Sequence, residues 1–388
     1  MKGHIRRRGP QSWAIVLDLG RDAEGKRRQK WHSIKGTRRE AEKRLTDLVK
    51  SLHDGDYVEP ARMDVAEYLR RWLTDYAGPN VSPKSLERYV QIVENNLIPA
   101  IGHHRLATLK PLHIQSLYSK ALLTGRHDGN GGLSPQTVLH FHRVLHKALS
   151  QAVKWQLLAR NPADAVDPPK PERKTMRALD EEETAALLTL FEDTSLHMPV
   201  LLAVTTGLRR GEILALRWED IDLKTGKITV LRSVEQTGKS IRFKRPKTER
   251  SSRNVALPSF TVEALRQHRI EQATIRLAVG PGYNDNNLVC ARETGELIPP
   301  NTLSTNFAST IRRTGFPHVR FHDLRHTHAS QLLKQGVHPK VVSERLGHSN
   351  IGITLDTYSH VMPGLQESAM EGLDASLRSA IGKKPDRT

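Results

Sequence analysis

The hydrophobic residues between positions 63 and 160 recur at the spacing of an α-helix. In three segments an apolar residue follows every third or fourth position, which places each set on one helix face. These stripes consist of Val65, Tyr68, Leu69, Trp72 and Tyr76; of Leu86, Tyr89, Val90, Val93 and Leu97; and of Val138, Phe141, Val144, Leu145, Ala148, Ala152 and Trp155. We interpret them as the core of an all-α domain that spans residues 63–160, not as a cofactor site.

The first 60 residues have a different pattern. Two strand-like runs, Trp13–Leu19 and Lys30–Ile34, flank a turn signal at residues 22–25, and a helical run extends from the N-cap candidate Thr37 to about His53. The core candidates here are Trp13, Ile15, Leu17, Trp31 and Ile34. We expect a small α+β domain over residues 1–60. The alternative is a solvated basic tail without a core.

Residues 161–174 are rich in proline and charge, which is typical of an extended linker. The segment 175–366 then begins with an acidic helix start at residues 180–182 and continues with apolar helical runs. Two strand-like runs, Lys227–Leu231 and Ser240–Phe243, are predicted to form a hairpin around Gly238. Overall we expect a multidomain protein, mainly α with small β-sheets.

A C-terminal tail, residues 367–388, completes the predicted organisation. Its apolar positions Met370, Leu373, Leu377 and Ile381 have approximate helical spacing. Such a stripe can pack within its own chain or against a neighbouring copy. We expect the second arrangement.

The charge of the chain points to a polyanionic partner. The 388 residues carry a formal net charge of +18, and residues 1–44 hold 14 Lys or Arg against 5 Asp or Glu. Half of the net charge therefore lies in one ninth of the chain. Double-stranded DNA is the leading candidate partner, and an acidic membrane surface is the second.

Several other classes of protein are disfavoured. No apolar run approaches the roughly 20 residues of a spanning helix, and Met1–Pro10 is not followed by the apolar region of a secretory signal. The single Cys290 excludes an internal disulfide framework and a multi-cysteine zinc site. We expect a cytoplasmic protein without membrane partners.

Two basic clusters are the candidates for contacts with the DNA backbone. The first, in the N-terminal segment, consists of Arg6, Arg7, Arg8, Arg27, Arg28 and Lys30. The second, after the predicted hairpin, consists of Arg242, Lys244, Arg245, Arg250 and Arg253, with only Glu249 opposing it. A solvated basic loop is the alternative interpretation of the second cluster.

The chemistry-bearing residues concentrate between positions 321 and 358. Phe321-His-Asp-Leu-Arg-His326 is followed by Leu346-Gly-His348 and then by Tyr358. Arginine offers a planar fork for phosphate oxygens, histidine moves protons near neutral pH, and tyrosine supplies an oxygen nucleophile. This combination suggests chemistry on a phosphate without a metal. A helical zinc pair, His322 and His326, is an alternative, but it lacks both the Glu of His-Glu-x-x-His and a third ligand.

Together these segments resemble the tyrosine recombinases of the phage integrase family. Six motif positions are filled with the expected residue types: Arg209 in Thr-Gly-Leu-Arg-Arg-Gly-Glu, Lys247 in Pro-Lys-Thr, His322, Arg325, His348 and Tyr358. The layout also matches, with residues 1–60 similar to an arm-type DNA-binding domain and residues 63–160 to a helical core-binding domain. The family's catalytic domain corresponds to residues 175–366.

The resemblance implies a role for each motif residue. Arg209 and Arg325 bind the scissile phosphate, and Tyr358 attacks it to form a 3′-phosphotyrosyl link. His322 is placed as the proton acceptor and Lys247 as the acid that protonates the departing 5′-oxygen, while His348 donates to a phosphate oxygen. Asp323 and Glu212 are expected only to orient or pair with their neighbours.

The resemblance also implies a biological setting. It suggests integration or excision of a phage or mobile element by a homotetramer on DNA, without ATP, Mg²⁺ or another cofactor. A host DNA-bending protein and an excisionase are candidate accessory partners. A DNA-binding regulator that does not cut and a supercoil-relaxing enzyme of the type IB topoisomerase kind are the alternatives.

Overall fold

The computed structural model of the protein describes residues 3–21, 25–53, 63–126, 129–172, 177–238, 240–244, 252–358 and 365–382. Contacts between residues divide the chain into two compact units, Met1–Arg173 and Lys174–Thr388. Within the described ranges, no helix combines the length and the apolar character needed to cross a membrane.

The first unit begins with an antiparallel three-stranded sheet followed by a helix. The strands are β1 (Gly3–Gly9), β2 (Ser12–Arg21) and β3 (Arg27–Lys35), with β2 in the centre, and the helix is α1 (Arg38–His53). Thr37 and Glu40 cap this helix reciprocally, because the Glu40 carboxylate accepts from Thr37 N at 2.7 Å and Thr37 Oγ1 accepts from Glu40 N at 3.4 Å. This confirms the predicted N-cap.

The small core of this domain lies between the sheet and α1. Ile15, Leu17 and Leu48 are buried there, and Ile5 and Ile34 are among the half-buried residues that pack against them. The predicted core included Trp31, but this residue is 44% exposed on the opposite face of β3. Side chains alternate between the two faces of a strand, so Trp31 cannot share a face with Ile34.

A bundle of helices forms the rest of the first unit, as the periodicity predicted. Its helices are α2 (Val65–Trp72), α3 (Gly78–Asn80), α4 (Pro83–Ile92), α5 (Ile98–Ile101), α6 (Pro111–Thr124) and α7 (Pro135–Lys154). Asp64 caps α2 by accepting from Glu67 N at 2.8 Å. The bundle buries the aromatic rings of Tyr68, Trp72, Tyr118 and Phe141 completely or nearly so.

Two π-helical turns interrupt the helices of the bundle. Leu73–Ala77 joins α2 to α3, and Val93–Leu97 joins α4 to α5. In both cases a proline follows two residues later, Pro79 or Pro99. Proline has no N–H and clashes with the carbonyl four residues before it, so a wider turn before it relieves the clash.

The first residues of the predicted linker are folded in the structure. Residues Pro162–Ala165 form a 3₁₀ turn that Asn161 caps, and Ala163 and Val166 are buried in the core of the bundle. The apolar residues between the prolines therefore extend the first unit beyond residue 160. The boundary between the two units falls inside the predicted linker, after residue 173.

The second unit is mainly helical and contains two small antiparallel sheets. Its helices are α8 (Glu181–Phe191), α9 (His197–Thr206), α10 (Arg210–Ala215), α11 (Ser259–Val279), α12 (Pro300–Thr314), α13 (Asp323–Lys334), α14 (Pro339–Leu346), α15 (Ile351–Tyr358) and α16 (Leu365–Gly382). Its strands are β4 (Ile221–Asp222), β5 (Lys227–Val230), β6 (Ser233–Thr237), β7 (Ser240–Lys244) and β8 (Arg253–Ala256).

The strand pairing corrects the predicted hairpin. β7 pairs with β6 around Gly238, whereas β5 lies in a separate sheet of order β4-β5-β8. Ile228 and Val230 of β5 are buried together with Val255 of β8, and the two strands pair through Ile228 and Val255. Burial of this apolar face against a strand more distant in sequence explains the pairing.

Candidate active site

The two helices whose ends border the site, α9 and α14, end at glycines with a left-handed backbone. α9 ends at Gly207 with φ 67°, and α14 ends at Gly347 with φ 66°. A Cβ at Gly207 would lie 2.6 Å from His328 Cδ2 and 2.7 Å from Leu346 Cδ2, so a side chain has no room there. The carbonyl groups at these helix ends have no partner in their own helix and carry partial negative charge.

Arg325 connects the two helix ends. Its Nη1 donates to the carbonyl of Gly207 and its Nη2 to that of Leu346, both at 2.7 Å. The residue is only 3% exposed. Burial, followed by repulsion from Arg209, lowers its pKa to about 9, which leaves the guanidinium charged at neutral pH.

Arg209 binds the next carbonyl of the same helix end. Its Nη2 donates to Gly347 O at 3.0 Å, and its Nη1 donates to Glu212 Oε1 at 2.9 Å. Its side chain is 41% exposed, so its guanidinium is partly open to solvent. The two arginines thus bind the carbonyls of adjacent residues, immediately before His348.

Arg253 is buried beside this pair. Its Nη2 lies 2.9 Å from Glu212 Oε2, both side chains are 7% exposed, and its Nε donates to Arg345 O at 2.7 Å. Burial alone would raise the pKa of Glu212, but hydrogen bonds and charge from Arg253, with those from Arg209, lower it. Glu212 therefore stays ionised and orients both arginines.

Tyr358 is the last residue of α15 and is 2% exposed. Its hydroxyl oxygen lies 2.6 Å from Nδ1 of His326, in the first turn of α13. Burial raises the pKa of Tyr358 to about 12. Burial, with repulsion from His322, lowers the pKa of His326 to about 4, so both groups are neutral at pH 7.

The remaining histidines of the motif flank the arginines. The His322 ring is 5.2 Å from the His326 ring in an edge-to-face arrangement, and burial lowers the pKa of His322. His348 Nδ1 lies 2.8 Å from Thr354 Oγ1. Burial, followed by the charges of Arg325 and Arg209, lowers the pKa of His348 to about 4. Both rings are uncharged at neutral pH.

His328 lies beneath the site and joins three helices. Its Nδ1 lies 2.8 Å from Val204 O, and Arg345 Nε donates to its Nε2 at 2.8 Å. Since arginine only donates, Nε2 accepts and the ring proton is on Nδ1. Arg345 also donates to Thr205 O at 2.9 Å, which ties α14 to the end of α9.

The chain matches known protein families over both units. Residues 177–364 match the phage integrase family, and residues 65–122 match the N-terminal SAM-like domain of phage integrases. A tyrosine recombinase XerC-like protein of Caldanaerobacter subterraneus subsp. tengcongensis is 30% identical over 385 residues, which cover 94% of this chain and 96% of that protein. This chain belongs to the phage integrase family.

Other members of the family agree with this assignment. An integrase of Streptomyces ambofaciens is 27% identical over 94% of both chains. The fold is also that of a Tn1549 transposon integrase fragment bound to a circular intermediate DNA (TM-score 0.66, 19% identity, 80% of this chain and 99% of that chain). A lambda integrase dimer bound to a core site is similar over 92% of this chain and 94% of that chain (TM-score 0.56, 16% identity).

Membership of this family confirms the predicted resemblance to tyrosine recombinases, the mainly helical fold class and the expected activity. The protein is a site-specific recombinase of the tyrosine type. Five of the six predicted motif residues lie in one site: Arg209, His322, Arg325, His348 and Tyr358. Lys247 lies outside the described residues.

The predicted DNA-contact residues near the hairpin fall into three groups. Arg242 and Lys244 both pair with Glu235 across the β6–β7 ladder, at 2.9 Å and 3.1 Å, so Glu249 is not the only opposing charge. Arg245 and Arg250 lie outside the described residues. Arg253 is buried with Glu212, which does not fit the expected DNA contact.

In the N-terminal sheet, Arg6 and Arg8 stack on one exposed aromatic ring. Their guanidinium carbons lie 5.5 Å and 5.7 Å from the centre of the Trp31 ring. These three side chains define what we call the Arg-Trp face of the sheet. Both arginines were predicted as DNA contacts from the sequence, whereas Trp31 was predicted to lie in the core.

The other basic residues of this sheet have different surroundings. Arg27 pairs with Asp18 at 2.7 Å, and Arg7 Nε donates to Gly9 O at 3.3 Å. Arg7 and Lys30 alternate with residues of the Arg-Trp face and so belong to the opposite face. The side chain of Arg28 lies outside the described residues.

The contact between Tyr358 and His326 was not predicted from sequence. The residue within hydrogen-bond distance of Tyr358 is His326, which the sequence suggested only as a possible zinc ligand, and not His322. The spacing of His322 and His326 was a usable signal, because it places both rings on one helix face. Among the described residues, no three His, Cys, Asp or Glu side chains are placed to bind one metal ion.

Proposed function

We propose that the protein cuts and rejoins DNA through a 3′-phosphotyrosyl intermediate with Tyr358 as the nucleophile. The observation that carries this proposal is the attachment of Arg209 and Arg325 to adjacent carbonyls at the end of α14. Guanidinium groups held in this way offer donors in a fixed geometry to the oxygens of one phosphate. The tyrosine lies in the same site, and the Arg325 charge acts on its phenol.

Each cleavage step is balanced without a cofactor. The Tyr358 oxygen bonds to phosphorus as the bond from phosphorus to the 5′-oxygen breaks. The phenolic proton goes to a base in the site, and the 5′-oxygen takes a proton from an acid, for which Lys247 is our candidate. Because the phosphotyrosyl link keeps the bond energy, a 5′-hydroxyl from another duplex can reverse the step without ATP or Mg²⁺.

The arginines stabilise charge that grows on the phosphate oxygens in the transition state. Loss of one preorganised donor of this kind typically costs about 100- to 1000-fold in rate. His348 adds a neutral donor: when Thr354 donates to its Nδ1, its proton is on Nε2, which can bind a phosphate oxygen. The charges of both arginines act on His322, so we place His322 at the same phosphate.

Double-stranded DNA is the partner in this proposal. The Arg-Trp face supports this partner. A guanidinium group that stacks on an aromatic ring can still donate through its N–H groups, which point outward in its own plane, to phosphate oxygens. The resemblance assigns residues 1–60 to arm-type sites and residues 63–160 to core sites, with 161–174 as linker, 175–366 as catalytic domain and 367–388 as tail. Solved integrases of this fold are bound to DNA.

The biological reaction that we propose is integration or excision of a phage or mobile element in the bacterial cytoplasm. It requires a homotetramer on two duplexes, with a host DNA-bending protein and an excisionase as candidate accessory factors. Sequencing the DNA that flanks the gene, and the junction of its circular form, identifies the core site.

A nicked core-site duplex tests the proposal. The wild-type protein should be trapped as a covalent adduct on a denaturing gel, also in excess EDTA. Tyr358→Phe removes only the phenolic oxygen, so it should bind the duplex with unchanged affinity and form no adduct. An adduct in the Phe variant would show that Tyr358 is not the nucleophile.

A further inference from the structure

The hydroxyl of Tyr358 has one hydrogen-bond partner among the described residues, Nδ1 of His326 at 2.6 Å. A buried O–H group that lacks an acceptor destabilises the folded protein. Tyr358 is 2% exposed, and its high pKa keeps it protonated at neutral pH. The hydroxyl therefore donates, and His326 Nδ1 accepts. The ring proton of the neutral imidazole is then on Nε2.

We infer that His326 is the general base that receives the phenolic proton of Tyr358 during strand cleavage. This inference rests on the proposed role of Tyr358 as the nucleophile. The proton moves from the Tyr358 oxygen to Nδ1 along the existing hydrogen bond while that oxygen bonds to phosphorus. The step needs no further reactant, because in strand rejoining the same proton returns from Nδ1 to the departing phenolate oxygen.

The geometry favours His326 over His322 for this step. The two rings are four residues apart, and their centres are 5.2 Å apart in an edge-to-face arrangement. His326 is the one whose nitrogen reaches the phenol. Arg325 acts on both rings, whereas Arg209 is among the groups that lower the pKa of His322.

The charged groups around His326 keep the proton on Tyr358 in the free protein. His322, Asp323, Arg325 and Arg320 act on it from α13 and the segment before it, and only Asp323 raises its pKa. The ring also interacts with His348, which follows α14, and with Tyr358 of α15. With a pKa of about 4 for His326 and about 12 for Tyr358, the proton stays on the phenol in the free protein.

Binding of the scissile phosphate changes this balance. Its negative charge lies beside Arg325 in the proposed function and offsets the repulsion that lowers the pKa of His326. The resulting rise in the pKa of His326 makes its Nδ1 a better acceptor for the phenolic proton. The acidity of the Tyr358 hydroxyl rises as its oxygen bonds to phosphorus, so the proton moves to Nδ1 as that bond forms. Proton transfer is thereby coupled to the presence of DNA.

Cleavage rates with two different leaving groups distinguish a general base from a general acid. We would measure adduct formation on nicked core-site duplexes with either an ordinary phosphodiester or a 5′-bridging sulfur, which leaves without an acid. His326→Gln keeps a polar side chain without basicity, and His326→Ala, with added imidazole, tests rescue by a free base. His322→Gln is the matched comparison on the same helix face. Thermal melting and gel mobility shifts confirm folding and DNA binding.

We expect His326→Gln to lower the cleavage rate by about 100- to 10,000-fold with both leaving groups, the usual range for a general base. Its rate should rise in proportion to hydroxide concentration, whereas the wild-type rate should level off above the pKa of His326 in the complex. Imidazole should restore part of the activity of His326→Ala. If Ala prevents folding, the Gln variant alone decides.

Three results would overturn the inference. One is a His326→Gln rate within about threefold of wild type, far below the effect of a lost base. Another is full rescue by the sulfur leaving group, which indicates an acid. The third is a slower variant that keeps the wild-type pH profile, which indicates positioning alone. Failure of the proposed function is distinguishable, because then the wild type forms no adduct or Tyr358→Phe still does.

Discussion

At the scale of single residues, Gly207 combines a left-handed backbone with a position that has no room for a side chain. An L-residue at φ 67° costs about 1–2 kcal/mol in backbone strain, and overpacking a well-packed site costs about 1–3 kcal/mol more. We expect Gly207→Ala to destabilise the protein by about 3 kcal/mol for these reasons. It should also slow adduct formation, because the Gly207 carbonyl positions Arg325.

Gly315 provides the matched control for this prediction. It ends α12 with the same φ of 67°, but a Cβ there meets nothing within 4 Å. Gly315→Ala should therefore cost only the backbone part, about 1–2 kcal/mol, and leave cleavage unchanged. Urea unfolding and adduct formation measure the two effects. Equal losses for both variants would mean that the contact with His328 is unimportant.

Substitution of Arg253 and of Arg242 compares a buried structural arginine with a surface arginine. Arg253→Met breaks a buried ion pair and should cost about 3 kcal/mol of stability. Arg242 is 43% exposed in its pair with Glu235, so Arg242→Met should cost less than about 1 kcal/mol.

DNA binding then checks the assignment of these two residues. If Arg242 contacts a phosphate, Arg242→Met should flatten the slope of log affinity against log salt by about 0.9. Arg253→Met should leave that slope unchanged, as measured by titrations at several salt concentrations. A flatter slope for Arg253→Met would restore it as a DNA contact.

At the scale of elements, features set by local sequence could be predicted and features set by distant partners could not. The helix start at Thr37 depends on a capping pair three residues apart, which is visible in the sequence. The pairing of β5 depends on β8, more than 20 residues later, so the strand-like run was wrongly joined to β7. The burial of Arg253 depends on the same tertiary arrangement.

In the site, too, local motifs could be predicted from sequence, whereas contacts between distant helices could not. The motifs identified both arginines, two histidines and the tyrosine, because their residue types carry the chemistry. The contact between His326 and Tyr358 joins α13 to α15, 32 residues apart in sequence. Helical spacing placed His326 beside His322, but only the fold shows which of the two rings faces the phenol.

Helix α16 presents an apolar stripe to solvent. Met370, Leu373, Leu377 and Ile381 are between 50% and 77% exposed. We propose that this stripe docks on a neighbouring protomer in the assembly on DNA. Truncation after Gly364 should therefore reduce joining of two duplexes into one complex more than it reduces binding to a single site.

Two single substitutions and one control test this prediction more finely. Leu373→Asp and Leu377→Asp should each reproduce the assembly defect, because a charge is costly in an apolar interface. Leu277→Asp in α11, where the leucine is 83% exposed, should have no effect. Analytical ultracentrifugation on DNA reports the complex size. A full-size complex with the truncated protein would favour packing within the chain.

At the scale of the whole molecule, charge is concentrated far from the catalytic motifs in sequence. Residues 1–44 carry half of the net charge of +18, whereas the catalytic unit has basic residues of its own around the hairpin. Two basic regions can serve one DNA site together or two kinds of site separately. The proposed arm-type role of residues 1–60 requires the second arrangement.

Removal of residues 1–60 distinguishes these arrangements. If the N-terminal domain contacts arm sites, the truncated protein should still form the Tyr358 adduct on a core-site duplex but fail to integrate a full attachment site. On arm-bearing DNA, each lost phosphate contact should flatten the slope of log affinity against log salt by about 0.9. On core-only DNA the slope should change little.

The Arg-Trp face allows a finer version of the same experiment in the full-length chain. Replacing Arg6 and Arg8 with Gln should flatten the salt slope on arm-bearing DNA by up to about 1.8, twice the value for one contact. The matched control replaces Arg38 and Arg39 of α1, which changes the net charge equally but leaves the Arg-Trp face intact. If the two double variants flatten the slope equally, both on arm-bearing and on core-only DNA, the domain acts only as a general electrostatic anchor. The protein would then be a recombinase of one kind of site, and the arm-type assignment would be wrong.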